Sequence, residues 1–246
     1  MHRFFAPDLD PGSADVLLPR DEAEHLTRVL RLGTGDTVSV FDGRGHEFVG
    51  RVTGTAPRDV RVQLLTQLKP ASEAAVAMTL VQAVLKGDKM DEVVRDVVML
   101  GVAAVQPIVT NRTEVTVAAL LRAERVERWR RVALASVKQS RRAVLPEIRL
   151  PLSFATVLDE PAAAVRLMLV EPGASVSAQP FSSLRGEGVP SDASILVGPE
   201  GGWTSDECAA AVAHGVKLVT LGQRTLRADA VPIAAVSVLL FLWGDL

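Results

Sequence analysis

The sequence predicts an α/β protein in which a small β-rich domain, residues 1–70, precedes a larger domain, residues 73–246, built on a parallel sheet. Up to about Leu68, short segments rich in β-branched residues are separated by glycine turns, a pattern that indicates strands. Beyond that point, apolar runs alternate with amphipathic helical segments, which is typical of a parallel sheet with helices on both faces. Residues 69–72, with a proline and small side chains, are the expected linker.

In the first domain, strand patterns cover three segments: residues 37–41, 47–52 and 60–65. A helical segment at 21–30 interrupts the strands, because its apolar residues recur at helical spacing. Several short strands with a single helix indicate a small β-barrel.

The second domain is predicted to contain five apolar strands, because a strand covered on both faces carries few polar residues. They lie at residues 76–85, 103–109, 165–170, 194–197 and 216–221. Helices are predicted at residues 88–100, 118–142, 205–214 and 231–243. The last helix is unusually apolar but too short for a membrane span of about 20 residues. It is therefore either a core helix or part of a protein–protein interface.

Composition excludes several classes of protein. Hydrophobic residues make up 48% and charged residues 23% of the chain, as in folded domains rather than disordered ones. The single cysteine, Cys208, excludes an internal disulfide and suits a reducing cytoplasm, and the first residues do not resemble a signal peptide. The scattered histidines have no cysteine or carboxylate at ligand spacing, so no metal site is expected. With a formal net charge of -2, any nucleic-acid contact requires a local basic patch.

Three loops follow the carboxyl ends of predicted strands, the edge at which open parallel sheets bind ligands. They read EPG at 171–173, GPEGGW at 198–203 and GQRTLR at 222–227. Glycine lets the backbone turn sharply and approach a ligand closely, although glycines also occur in loops that are only tight strand-to-helix turns. The sequence has neither the dinucleotide-binding fingerprint nor a Walker lysine, which argues against Rossmann-type cofactor enzymes and phosphate-loop NTPases.

Two of these loops resemble signatures of the RsmE branch of the SPOUT RNA methyltransferases. The segment ILVGPEGGWT at 195–204 is similar to the motif (I/V)-G-P-E-G-G-(F/W)-(S/T), and LGQRTLR at 221–227 is similar to L-G-x-R-I-L-R. The resemblance extends along most of the chain through three further segments: HLTRVLRL at 25–32, KGDKM at 86–90 and QSRRAVLP at 139–146.

The resemblance implies an N-terminal PUA-like β-barrel that binds RNA and a C-terminal SPOUT domain with a deep trefoil knot. It also implies S-adenosylmethionine as the cofactor and a homodimer that packs through the knot domains. The apolar helix at 231–243 is then expected at the dimer interface. By the same resemblance, seven loop residues are expected to hold the cofactor: Glu171, Gly198, Pro199, Gly201, Leu221, Gly222 and Leu226.

The reaction that the resemblance implies is methyl transfer to N3 of a uridine in small-subunit (16S) ribosomal RNA. Because N3 of uracil is a poor nucleophile until it loses its proton, the enzyme has to stabilise the developing anion and align it with the methyl group. Arg227 is the first candidate for this role and Arg142 the second. Glu200 and Asp229 are candidate bases, but each also fits a carboxylate that caps a helix or pairs with an arginine.

RNA binding requires phosphate contacts from basic residues. Residues 122–149 hold nine basic residues against three acids, which supplies the local patch that the net charge does not. Two groups of residues are expected to contact RNA. The first lies at the end of the long predicted helix and comprises Lys138, Arg141 and Arg142. The second lies on the helix of the first domain and comprises His25, Arg28 and Arg31. For both groups the alternative is a solvated helix face.

The sequence departs from the family pattern at residues 228–230, where Ala-Asp-Ala stands in place of T-E-T, and at Met99 and Arg141, where a glutamate and a glycine are usual. These changes leave the cofactor loops intact and affect the substrate assignment. Two other functions stay open at this point. One is a SPOUT methyltransferase with another RNA target, such as a ribose 2′-hydroxyl. The other is a non-catalytic RNA-binding factor in ribosome assembly.

Overall fold

The computed structural model describes residues 1–56, 59–174, 177–186 and 188–246. The chain divides into two compact units. The first combines Met1–Glu73 with Val137–Leu145, and the second combines Ala74–Ser136 with Pro146–Leu246. The structure thus groups residues 137–145 with the first unit, whereas the sequence pattern places them within the second domain.

The first unit is built on a five-stranded mixed sheet. Its strands are β1 (Arg3–Phe5), β2 (Asp15–Leu17), β3 (Thr37–Phe41), β4 (Glu47–Ala56) and β5 (Asp59–Leu68). The spatial order is β1-β3-β4-β5-β2, in which β1 pairs with β3 in parallel and the other neighbours are antiparallel. Phe4, Val38, Val40 and Val62 are fully buried in its core. The three predicted strands are confirmed, and β4 and β5 are longer than expected.

The predicted first helix is an α-helix, α1 (Arg20–Glu24), that continues directly as a π-helical turn at His25–Val29. The wider turn is seen in the 3.0 Å hydrogen bond from the Leu30 N–H to the His25 carbonyl. Single π-helical turns are frequent at functional sites. This one carries His25 and Arg28, whose side chains are exposed.

Arg3 connects the segment Val137–Leu145 to the sheet of the first unit. Its guanidinium donates to both carboxylate oxygens of Glu47 at 2.9 Å, and its side chain is only 10% exposed. Three backbone carbonyls accept its other hydrogen bonds, at 2.8 to 3.0 Å: those of Val137, Lys138 and Arg142. The carbonyls of Val137 and Lys138 lie in the last turn of the helix Arg125–Ser140, where carbonyls lack backbone donors, and Arg3 supplies those donors. These bonds explain why the segment belongs to the first unit.

The second unit is built on a parallel sheet. Its strands are β6 (Ala77–Ala83), β7 (Ala104–Val109), β8 (Glu147–Ile148), β9 (Leu152–Ser153), β10 (Val165–Leu169), β11 (Gln179–Pro180), β12 (Asp192–Val197) and β13 (Lys217–Thr220). The spatial order is β11-β13-β10-β12-β6-β7-β8, with β9 also pairing with β7. In the register of the centre, Leu169 pairs with Val197 on one side and with Val219 on the other. The carboxyl ends of β10, β12 and β13 therefore lie side by side.

Helices connect the strands of the second unit, and one prediction about them is wrong. They are α2 (Lys89–Met99), α3 (Val117–Arg122), α4 (Arg125–Ser140), α5 (Phe154–Asp159), α6 (Ser205–Ala213) and α7 (Val231–Leu242), and residues 137–140 of α4 are grouped with the first unit. The single helix predicted at 118–142 is two helices, α3 and α4. The break lies at Ala123 and Glu124, and Glu124 has a φ of 49°, a left-handed conformation that a continuous helix does not allow.

The sheet of the second unit is buried on both faces. On one face, Val81, Met168 and Leu196 pack with α5 and α6 in a single apolar cluster. The alternate residues Leu80 and Leu167 point to the opposite face and are also fully buried. Among the helices of the described ranges, none has the length and apolar character that crossing a membrane would need.

Candidate active site

A cleft of about 260 Å³ lies at the carboxyl edge of the second sheet. Its walls are the loops that follow β10, β12 and β13, together with the start of α2. The three loops meet because their strands end at the same level of the sheet. An open parallel sheet offers its ligand-binding crevice at this edge, so the fold itself makes the cleft.

The loop between β12 and α6 leaves little room for side chains at two of its glycines. A Cβ atom at Gly198 would meet the indole of Trp203 at 3.1 Å, and one at Gly202 would meet a carboxylate oxygen of Glu171 at 3.1 Å. Gly202 also has a φ of 68°, which L-residues rarely adopt. The Trp203 indole N–H donates to the carbonyl of Leu169 at 2.8 Å, so the loop is tied to the neighbouring strand.

The end of this loop is held by the side chain of Glu207, which is buried. The Thr204 side chain accepts from the Glu207 N–H at 3.1 Å, and the Glu207 carboxylate accepts from the Thr204 N–H at 2.8 Å. This reciprocal pair is a capping box at the start of α6. The same carboxylate accepts from the Asn111 N–H at 2.8 Å, and it therefore joins the loop after β7 to the loop after β12.

Glu200 is fixed by the backbone of Lys86, in the loop before α2, and by the side chain of Lys89, the first residue of α2. Its carboxylate accepts from the Lys86 N–H at 3.2 Å and from the Lys89 ammonium at 3.0 Å. Burial alone would raise the pKa of the Glu200 carboxyl, but the hydrogen bonds from its own N–H, from Lys89 and from Lys86 outweigh it, and the pKa is lowered. Glu200 is therefore a carboxylate at neutral pH, and Lys89 is its counter-ion.

Arg227 and Asp229 form a second ion pair at the cleft. The guanidinium donates to the two carboxylate oxygens at 3.1 and 2.9 Å. This hydrogen bonding is the main cause of the lowered pKa of Asp229 and of the raised pKa of Arg227. The Asp229 side chain is 16% exposed, whereas that of Arg227 is 74% exposed. The aspartate thus holds one side of the guanidinium and leaves the rest accessible to a ligand.

The structure brings most of the predicted site residues together. Seven of them line the cleft: Glu171, Gly198, Pro199, Glu200, Leu221, Leu226 and Arg227. Gly201 lies in the same loop but lines a neighbouring depression, and Gly222 follows Leu221 with a φ of 82°. Lys89 and Arg224 also line the cleft, although no sequence pattern predicted them as site residues. Lys89 lies within the KGDKM segment at 86–90 that resembles the family, and this motif is the sequence signal that could have identified it.

The residues predicted to contact RNA lie in the first unit and fall into two groups. Arg142 is buried, and its guanidinium donates to the carboxylate of Glu73. Lys138 is half-buried and pairs with the buried Glu22. The other group is exposed: His25, Arg28, Arg31 and Arg141. Arg142 is not among the residues that line the cleft, so the catalytic role expected for it rests on the resemblance alone.

Comparison with known proteins agrees with this architecture. The family model described as an RNA methyltransferase domain matches residues 72–240, and the one described as an RNA methyltransferase PUA domain matches residues 18–65. The ribosomal RNA small subunit methyltransferase E of a Synechocystis strain is 33% identical over 226 residues, which cover 91% of this chain and 72% of the relative. The chain belongs to this methyltransferase family. An Aquifex aeolicus member is 27% identical over 98% of this chain and 99% of its own.

Solved structures of the family have the same fold. The methyltransferase E of Neisseria gonorrhoeae, solved with bound S-adenosylmethionine, is 30% identical, with a TM-score of 0.88 and coverage of 99% of this chain and 98% of that chain. A structure from Legionella pneumophila, also solved with S-adenosylmethionine, is 26% identical, with a TM-score of 0.86 and coverage of 96% of each chain. The predicted α/β class with an N-terminal PUA domain is confirmed, while the trefoil knot stays a prediction.

Replacing Glu207 tests the bond between the two loops. Glu207→Ala leaves the N–H groups of Thr204 and Asn111 without their acceptor, and we expect the free energy of unfolding to fall by about 1–3 kcal/mol. Asp206→Ala is the matched control, since Asp206 lies in the same helical turn but is exposed, and we expect a loss of no more than about 1 kcal/mol. Urea denaturation measures both. Equal losses in the two variants would contradict the role given to Glu207.

Proposed function

We propose that this chain is an S-adenosylmethionine-dependent methyltransferase that methylates N3 of a uridine in small-subunit (16S) ribosomal RNA in the cytoplasm. The observation that carries the proposal is the cleft at the ends of β10, β12 and β13, in a fold whose relatives were solved with S-adenosylmethionine. The PUA domain, matched at residues 18–65, supports RNA as the substrate.

The residues present fit this cofactor. Gly198 and Gly202 keep the loop backbone free of side chains, as a closely held nucleoside requires. Leu221 and Leu226 give apolar surface for the adenine, and Glu171 offers a carboxylate for the amino group of the methionine part. When bound, S-adenosylmethionine supplies an electrophilic methyl group on a sulfonium.

Arg227 is the residue best placed to act on the substrate. Methylation at N3 requires the uracil ring to release its N3 proton to solvent, which leaves negative charge on the ring. A guanidinium at the cleft stabilises that charge, and its fork geometry aligns the base. Asp229 keeps the guanidinium in place through two hydrogen bonds. The lowered pKa makes Glu200 a weak proton acceptor, so we assign Glu200 to positioning the loop rather than to general base catalysis.

Nucleoside analysis of methylated ribosomal RNA tests the reaction. We expect the protein and S-adenosylmethionine to produce 3-methyluridine in small subunits that lack this methyl group. Arg227→Ala should lower kcat by about 10²- to 10³-fold, because a donor to the developing charge is lost, with the affinity for S-adenosylmethionine unchanged within threefold. Arg95→Ala is the control, since Arg95 is exposed on α2 and pairs with the adjacent Asp96.

The other outcomes of this assay separate the alternatives. A different methylated nucleoside would reject the N3 assignment and favour another RNA target, such as a ribose hydroxyl. Neither methylation nor binding of S-adenosylmethionine in calorimetry would favour a non-catalytic RNA-binding factor. Full activity of Arg227→Ala would reject the role given to Arg227.

We assign RNA binding in the first unit to its exposed cations rather than to its paired ones. Arg28, Arg31 and Arg141 are exposed, whereas Lys138 is engaged with Glu22. Because each phosphate contact releases condensed counterions, Arg28→Ala and Arg31→Ala should each reduce the slope of log K against log salt by about 1. Filter binding to ribosomal RNA at several salt concentrations measures this slope.

The matched control for the RNA experiment is Arg20→Ala. Arg20 lies on the same helical segment, but its guanidinium donates to Glu24 at 3.1 Å. We expect a slope within experimental error of the wild-type value. If Arg28→Ala and Arg31→Ala also leave the slope unchanged, the RNA-binding surface lies elsewhere.

We further propose a homodimer that uses α7. Apart from Ser237, the helix carries only apolar residues, yet the Phe241 side chain is 64% exposed. An exposed aromatic side chain on such a helix suits a protein–protein interface. Phe241→Asp should convert the dimer to a monomer in sedimentation velocity measurements, because it introduces a buried unpaired charge. Val212→Asp on α6, where the side chain is 55% exposed, should leave the dimer intact. A wild-type monomer would reject the proposal.

A further inference from the structure

Arg112 lies outside the segments that resemble the family motifs, in the loop that follows β7. This loop has a defined shape. The Thr110 N–H donates to the Thr113 hydroxyl at 3.1 Å, and the two threonine hydroxyls are 2.9 Å apart. The Asn111 N–H is held by the buried carboxylate of Glu207. The backbone on both sides of Arg112 is therefore fixed, and its side chain leaves the loop from a rigid base.

The Arg112 side chain contacts the glycine loop in two ways. Its Nη1 donates to the carbonyl of Gly201 at 2.5 Å. Its aliphatic stem covers the same residue, since a Cβ atom at Gly201 would meet the Arg112 Cβ at 3.2 Å and its Cδ at 3.3 Å. The next residue is enclosed as well. A Cβ at Gly202 would lie 3.1 Å from Glu171 Oε1 and 3.9 Å from Arg112 Nη1.

The topology explains why a long side chain is needed here. Strand β6 lies between β7 and β12 in the sheet. Neighbouring strands are about 4.8 Å apart, so a side chain after β7 has to reach across roughly 10 Å to the loop after β12. Arginine has the length to do so, and it ends in donors with fixed directions. One hydrogen bond at the Gly201 carbonyl fixes the orientation of the peptide between Gly201 and Gly202.

The geometry points to Arg112 as a positioning residue for the cofactor cleft. Arg112 is not among the residues that line the cleft itself; it lines the neighbouring depression and acts through Gly201. Gly198 and Gly202, on either side of the held carbonyl, do line the cleft. Arg112 therefore keeps the backbone of residues 198–202 in the shape that receives the ligand. That this ligand is S-adenosylmethionine rests on the proposed function.

The test uses Arg112→Met and Arg112→Lys in the full chain. Methionine keeps an aliphatic stem against Gly201 and removes the donor, whereas lysine keeps a cationic donor. In Arg112→Met we expect faster hydrogen–deuterium exchange in a peptide covering residues 198–204, measured without ligand. We also expect S-adenosylmethionine to bind about tenfold more weakly in calorimetry, and KM for the cofactor to rise more than kcat falls. Arg112→Lys should recover part of the affinity.

Arg130→Met is the matched control, because Arg130 also donates to a backbone carbonyl, that of Ile148 at 3.3 Å, but does not line the cleft. In this variant, the hydrogen–deuterium exchange of residues 198–204 and the affinity for S-adenosylmethionine should equal those of the wild type. Unchanged exchange and affinity in Arg112→Met would overturn the inference. So would a lowered Tm with unchanged affinity, which indicates a purely structural role. If the wild type itself does not bind S-adenosylmethionine, the proposed function fails, while the exchange comparison still tests the positioning of the loop.

Discussion

The parallel pairing of β10 with β12 and β13 is the constraint on which the candidate active site depends. Since Leu169 lies opposite both Val197 and Val219, the loops after the three strands start at one level and have to share one crevice. The absence of side chains at two glycines then shapes the crevice. Side chains at Gly198 and Gly202 would lie in tight contact with Trp203 and Glu171, and glycine at both positions leaves the backbone to form the wall there. A ligand meets peptide groups whose positions the sheet already determines.

The charges of the cleft are arranged in pairs that orient one another. Glu200 has Lys89 as its partner, and Asp229 has Arg227. Partly exposed ion pairs of this kind contribute little to folding stability. Their main effect is to orient the charged side chains in the cleft. Each carboxylate limits the positions of one cation, and the guanidinium of Arg227 keeps an accessible side. Such fixed charges need no rearrangement when negative charge develops on a substrate.

Much of this could be predicted from the sequence, because strand periodicity and loop motifs are local signals. Strand β3 was predicted to the residue, and the three loops were predicted to follow strand ends at the edge where open parallel sheets bind ligands. The single helix predicted at 118–142 was wrong, because no residue type around Glu124 indicates the left-handed backbone that divides it into two helices. Lys89 and Arg112 are more than 80 residues from the loop that they hold, and single-sequence patterns do not pair residues at that separation.

The first unit also sets an order of events during synthesis. Its chain is discontinuous: Met1–Glu73 is completed only by Val137–Leu145, which supplies the carbonyls that Arg3 binds. Domains usually form as the nascent chain leaves the ribosome, amino-terminal parts first. Here the amino-terminal part stays incomplete until the polypeptide is more than half made, because the carbonyls of Val137, Lys138 and Arg142 that Arg3 binds are translated only then. The unit that begins the chain is thus complete only after a large part of the second unit, residues 74–136, has been translated.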